Sequence, residues 1–193
     1  MPVPDHECVI AATRAWVEHA VLGLNLCPFA RKPFIEERIR YVVSSAPDEV
    51  DLLIDLRREL QLLAGTPAER IETTLLIHPQ ALTDFDAFND FLDSADAAVA
   101  ELGLTGALQI ATFHPEYRFA GTVAADVTNA TNRAPYPMLH LLREESVEWA
   151  AATVPSTDAI YEANIRTLRE LGTDGWRRLQ ERIACAAQPR QRH

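Results

Sequence analysis

The alternation in the middle of the chain limits the fold more than any other feature. "RIRYVVSS" (38–45), "IETTLLIHP" (71–79) and "ALQIATFHP" (107–115) read as strands, the second rich in β-branched residues. Between the first two, Pro47 and Asp48 open a helical pattern that reaches about Ala64, with Leu52, Leu56, Leu60 and Leu63 on one face. Between the second and third, "DFDAFNDFLDSADAAVAELGL" aligns Phe85, Phe88, Leu92, Ala95, Val99 and Leu102 in a stripe, and Gly103 follows as a C′ residue. Strands joined by single crossover helices run parallel. The expectation is an α/β fold: a small, mostly parallel sheet with a β-α-β-α-β core, flanked by helices.

The flanks fit one domain of 193 residues. Residues 5–34 read as an N-terminal helix and a Cys-Pro loop. Val9, Ala12, Trp16, Ala20 and Leu24 recur at helical spacing after Asp5 as N-cap, and Pro28 and Pro33 stop the pattern. The core spans 38–116. Residues 117–187 read as an irregular loop followed by helices: one after Pro137 carrying Met138, Leu141, Leu142 and Val147, one from about Ser156 to Leu171 stopped by Gly172, and one from Thr173 to about Ala187. The tail "QPRQRH" is expected to fray.

Bulk properties remove several classes of function. A formal charge of −10 opposes binding to nucleic-acid phosphates or to an anionic membrane surface. No apolar run approaches the roughly 18 residues of a membrane span, and "MPVPDHECVI" lacks the basic and apolar regions of a secretory signal. Cys8, Cys27 and Cys185 are an odd number without a CxxC pair, which suggests free thiols in a reducing cytoplasm. The 7 glycines form neither a P-loop nor a GxGxxG motif.

Chemistry-bearing residues gather in three patches. Two strands end in His-Pro, at His78 and His114, and proline cannot extend a ladder. In a parallel sheet both imidazoles come to the carboxyl-end rim, where ligands bind, with Ser44 and Ser45 at the equivalent place after the first strand. A lone strand-end histidine is more often structural than catalytic. His114 stands out because Glu116, Tyr117 and Arg118 crowd beside it. The second patch is "TNATNRAPYPMLHLLREESV". Asn132, Arg133 and Tyr136 precede or enter the helix expected there, whose N-terminus would attract an anion. On that helix His140 shares a face with Arg143 and Glu144. Such a face is also what a solvated helix shows. The third is Cys27, with Arg31 and Lys32 close behind to favour its thiolate, against the alternative of a half-buried structural thiol.

The motifs "LNLCPF", "TFHPEYRFAG" and "TNRAPYPMLHLLREESV" resemble those of a domain-of-unknown-function family of bacteria and plants, over about residues 8–175. The resemblance marks Cys27, His114, Asn132, Arg133, His140 and Arg143 as motif positions, and implies no particular activity.

Three functions compete. The first is a small-molecule enzyme performing hydrolysis or group transfer on an anionic substrate. Its site would lie on the rim, with His114, His140, Glu116 and Cys27 as catalytic groups. Arg133, Arg143, Arg118, Asn132, Tyr117 and Tyr136 would hold the substrate. The second is a divalent-metal site (zinc, iron or copper) built from His114, His140, Glu144 and His78. The third is a binding module without turnover.

Overall fold

The computed structural model describes residues 5–152 and 157–186. Among them are four strands: β1 (Ile39–Val43), β2 (Thr73–Ile77), β3 (Leu108–Phe113) and β4 (Met138–Arg143). They form one sheet in the order β1-β2-β4-β3. β1 and β2 pair in parallel; β4 lies between β2 and β3 and runs antiparallel to both. The sheet is therefore mixed α/β, which corrects the expectation of a mostly parallel one. The β-α-β-α-β strands do point the same way, because reversing direction twice through β4 restores it.

β4 is the element the sequence pattern misassigned as a helix after Pro137. Met and Leu favour helices, and the run has no alternation to suggest a strand. A central strand covered on both faces needs none. Leu139 and Leu141 enter one apolar core and Met138 enters the other, all fully buried.

Two helical layers cover the sheet. On one face, α3 (Glu49–Ala64) and α4 (Phe85–Glu101) bury Leu52, Leu56, Leu60, Leu63 and Phe88 against Leu76, Leu139 and Leu141. Each starts on an aspartate cap: Asp48 accepts from the amides of Val50 and Asp51, and Asp84 from that of Ala87. The opposite face carries α1 (His6–Trp16), continued by a π-helical turn at Val17–Leu22, and α6 (Thr157–Ala186). Val9, Trp16, Ala20, Leu168 and Trp176 pack there on Leu75, Ile77 and Met138. Short helices fill the connections: a 3-10 turn at Pro28–Ala30 running into α2 (Arg31–Ile35), a 3-10 segment at Val127–Asn132, and α5 (Glu144–Ala152).

The two expected C-terminal helices, together α6, meet at Gly172, whose backbone leaves the helical conformation at φ 68° and ψ 170°. The expected ends at Ser156 and Ala187, and the tail beyond, lie outside the described residues. Among the described residues no helix is long and apolar enough to cross a membrane.

Candidate functional site

β1, β2 and β3 end at the same edge of the sheet, so Ser44, His78 and His114 all reach one rim. Both histidines still donate their backbone amides: His78 to the carbonyl of Pro137 at 3.0 Å and His114 to that of Asn132 at 3.1 Å. The following proline has no N–H, so the chain leaves the sheet there.

Side chains alternate along a strand, and His78 and His114 therefore turn toward α3 and α4. Neither exposes any surface. Phe88 of α4 lies against both rings, with centroids 5.7 Å from His78 and 5.2 Å from His114. Phe85 adds a second wall, 5.4 Å from His114.

Local hydrogen bonds fix the proton on each ring. Nδ1 of His78 lies 2.9 Å from the carbonyl of Ala81, which can only accept, so His78 carries its proton on Nδ1 and leaves a lone pair on Nε2. Nδ1 of His114 accepts from the amide of Glu116 at 3.0 Å, so the neutral ring carries its proton on Nε2. Both Nε2 atoms are buried without a hydrogen-bond partner. His78 Nε2 is a bare acceptor, and His114 Nε2–H is a donor that makes no well-formed bond, with the Leu82 and Thr83 carbonyls nearby.

Electrostatics keep both rings neutral. Burial lowers the pKa of His78 to about 4, opposed by the Ala81 carbonyl and reinforced by the charge His114 would carry. Burial also lowers His114; the nearby carbonyls of Leu82 and Thr83 and the carboxylates of Glu116 and Asp84 counteract it.

Residues 79–84 form a strap that links His78 to α4. Leu82 within it holds φ at 53°, a conformation that costs a leucine roughly 1–2 kcal/mol. The neighbouring loop after His114 is held from outside. Tyr117 packs its ring 5.3 Å from Phe85, and Arg118 lies over Phe85 while pairing with Asp86 at 2.7 Å. Arg133 donates to the carbonyls of Tyr117 and Ala124 at 3.2 and 2.6 Å. Burial pulls its pKa down, and the carboxylates of Glu116 and Asp126 oppose that. Asn132 donates to the Thr112 carbonyl at 3.1 Å.

His78, His114, Glu116, Tyr117, Arg118, Asn132 and Arg133 are thus brought together. The other sequence candidates are not. His140 sits in mid-β4 on the opposite face, opposite Leu75 and Ala111 and bonded to Thr73 Oγ1 at 2.7 Å, where burial alone lowers its pKa to about 4. Because β4 is a strand, the helical pairing of His140 with Arg143 and Glu144 does not exist. Arg143 instead braces the backbone, one terminal nitrogen lying 2.5–3.0 Å from the carbonyls of Leu63, Thr66 and Ile71. Tyr136 is half-buried beside Pro135 on the α1–α6 side.

Cys27 caps the Pro28–Ala30 turn, and burial raises its thiol pKa more than the amides of Phe29 and Ala30 lower it. Burial thus outweighs the cationic activation expected from Arg31 and Lys32. The proposed metal ligands are split between the two faces, and among the described residues no three of His, Cys, Asp and Glu converge on a metal position.

Sequence reading missed three contributors. Phe85 and Phe88 appeared only as a core stripe. Fully buried Asn129 organises the outer loop, accepting from the Phe119 amide at 3.0 Å and the Thr122 hydroxyl at 2.8 Å. Its signal was a second asparagine in a turn-rich segment.

No curated protein and no solved structure matches the chain. The family model described as a protein of unknown function (DUF1415) matches residues 8–178, and the chain belongs to that family.

Proposed function

We propose that the protein is a small-molecule enzyme that carries out hydrolysis or group transfer by paired acid–base chemistry at the His78–His114 rim. His78 Nε2 takes a proton and His114 Nε2–H supplies one. The observation that carries this is the pair of buried imidazoles with unpaired Nε2 atoms of opposite proton character. A buried polar atom without a partner is costly and calls for an explanation, and a bound substrate would provide one. An anionic substrate fits best. Its charge beside the rings would offset their desolvation and raise their pKa values from the depressed state toward the neutral range, where proton transfer is most effective. Arg118, over the Phe85 ring, and Arg133, bonded to the Tyr117 carbonyl, are the cations that would receive that charge.

Metal binding is a weaker reading, because a His114 ring that accepts at Nδ1 has no lone pair at Nε2 to ligate with. The three free cysteines favour a cytoplasmic setting.

Long-range proton–nitrogen NMR on histidine-labelled protein tests the pairing. At pH 7 we expect one neutral ring protonated at Nδ1, assigned through His78→Asn, and one protonated at Nε2, assigned through His114→Asn. Matching tautomers in both rings would remove the acid–base pair. The same variants are then assayed with p-nitrophenyl acetate, p-nitrophenyl phosphate and a phosphodiester. Turnover should drop at least ~100-fold in either while the far-ultraviolet spectrum is kept. Undiminished turnover in folded variants contradicts the proposal, and an inert wild type favours a binding module.

A further inference from the structure

A second feature lies on the opposite face of the sheet, independent of the histidine pair. Between α1, the C-terminal part of α6 and the stretch leading into β4 there is a cavity of about 340 Å³. That is within the range of small-molecule sites, roughly 300–1,000 Å³. Two indoles, Trp16 and Trp176, line it together with Arg133, Pro135, Tyr136 and Ile183. Gln180 and Ala184, both exposed, border it and give it a mouth to solvent.

The two indoles differ in one respect. Trp16 donates its Nε1 proton to the carbonyl of Arg133 at 2.9 Å. Trp176, only 6% exposed, has a buried Nε1 with no partner at all. Buried indole N–H groups normally find an acceptor. This one belongs to a side chain that lines a cavity large enough to bring one in.

We infer that this cavity is a binding site for a flat, largely apolar small molecule that carries an acceptor oxygen, received by Trp176 Nε1–H. The aromatic and aliphatic walls match a ring system. A cavity of about 150 Å³ holds one benzene ring, so this space has room for a fused bicyclic system with a carbonyl or carboxylate substituent. The unpaired donor selects for the oxygen and against the plain hydrocarbon, which would leave the N–H unsatisfied.

The test uses full-length protein labelled with nitrogen-15 at tryptophan, titrated with 2-acetylnaphthalene and with 2-ethylnaphthalene, its analogue without the oxygen. With the ketone the Trp176 indole cross-peak should move downfield as the N–H gains an acceptor, and the peak of Trp149, 68% exposed, should stay in place. The hydrocarbon should bind several-fold more weakly and cause no downfield movement. Trp176→Phe keeps the ring and removes the donor; it should weaken the ketone about 5-fold and leave the hydrocarbon unchanged. Ala184→Trp, at the exposed mouth, should abolish binding of both without disturbing the core. A stationary Trp176 peak at ligand saturation would overturn the inference. So would equal weakening of both ligands by Trp176→Phe, or full binding in Ala184→Trp. 2-Naphthoate in place of the ketone then decides between a neutral carbonyl and a carboxylate as the preferred acceptor.

Discussion

The Arg143 guanidinium brings one terminal nitrogen to 3.0, 2.5 and 2.9 Å from the carbonyls of Leu63, Thr66 and Ile71. These belong to the last turn of α3 and the connection into β2, so one side chain on β4 ties together the end of a helix and the start of a strand. Helix ends leave carbonyls without partners, and a charged donor meets several of them here. Arg143→Ala should therefore destabilise the fold by about 2–4 kcal/mol. In urea titrations the midpoint should fall with the slope unchanged. A change below about 0.5 kcal/mol, the range of ordinary surface substitutions, would show that water replaces the guanidinium at no cost. Nothing local in the sequence distinguishes this bracing arginine from Arg133 or Arg118 of the rim. All three stand in dense polar motifs, and only the partners supplied by distant segments separate their roles.

Among the elements, α6 shows a local rule at work. Gly172 at φ 68° and ψ 170° occupies a region essentially reserved for glycine. A Cβ added there would meet nothing within 4 Å, so the cost of replacing it is purely conformational. Gly172→Ala is expected to lose roughly 1–3 kcal/mol, measured by thermal or urea unfolding, without altering the packing of Leu168 or Trp176. An unchanged midpoint would mean that the helix can straighten through this position. The helix break at Gly172 was legible because one residue's chemistry decides it. β4 was not. Its six residues, MLHLLR, favour a helix by composition, and strand conformation comes from hydrogen bonds to β2 on one side and β3 on the other. Those neighbours lie at least 25 residues away along the chain, by its own numbering, beyond the range of any periodicity argument.

For the whole molecule, three histidines are folded neutral on the two faces of one sheet. Burial lowers His78 and His140 each to about 4 from an ordinary 6.5, and lowers His114 as well. An unfolded chain takes up protons at these sites below about pH 6.5, while the native rings of His78 and His140 resist until about pH 4. Stability from the neutral rings is thus fully present above pH 6.5 and falls progressively between 6.5 and 4, by up to about 3 kcal/mol for each of His78 and His140. Urea denaturation of the wild type and of His140→Gln at pH 7.5, 6.0 and 4.5 isolates the contribution of one ring from that of the many carboxylates. The variant should lose less stability on acidification than the wild type. Parallel pH profiles would mean that the His140 ring is hydrated and titrates normally.

The sequence alone determined what depends on near neighbours: the three strands that end in one direction, the two covering helices, the helix break at Gly172 and the arrival of His78 and His114 at one rim. Strand direction and side-chain alternation follow from backbone geometry and short-range pattern. The tertiary structure decided that β4 enters the sheet, that His140 faces away from His114, and that Arg143 braces rather than binds. It also set which nitrogen of each rim histidine bears the proton. Each of these depends on a partner far away in sequence, and only packing determines which distant groups meet.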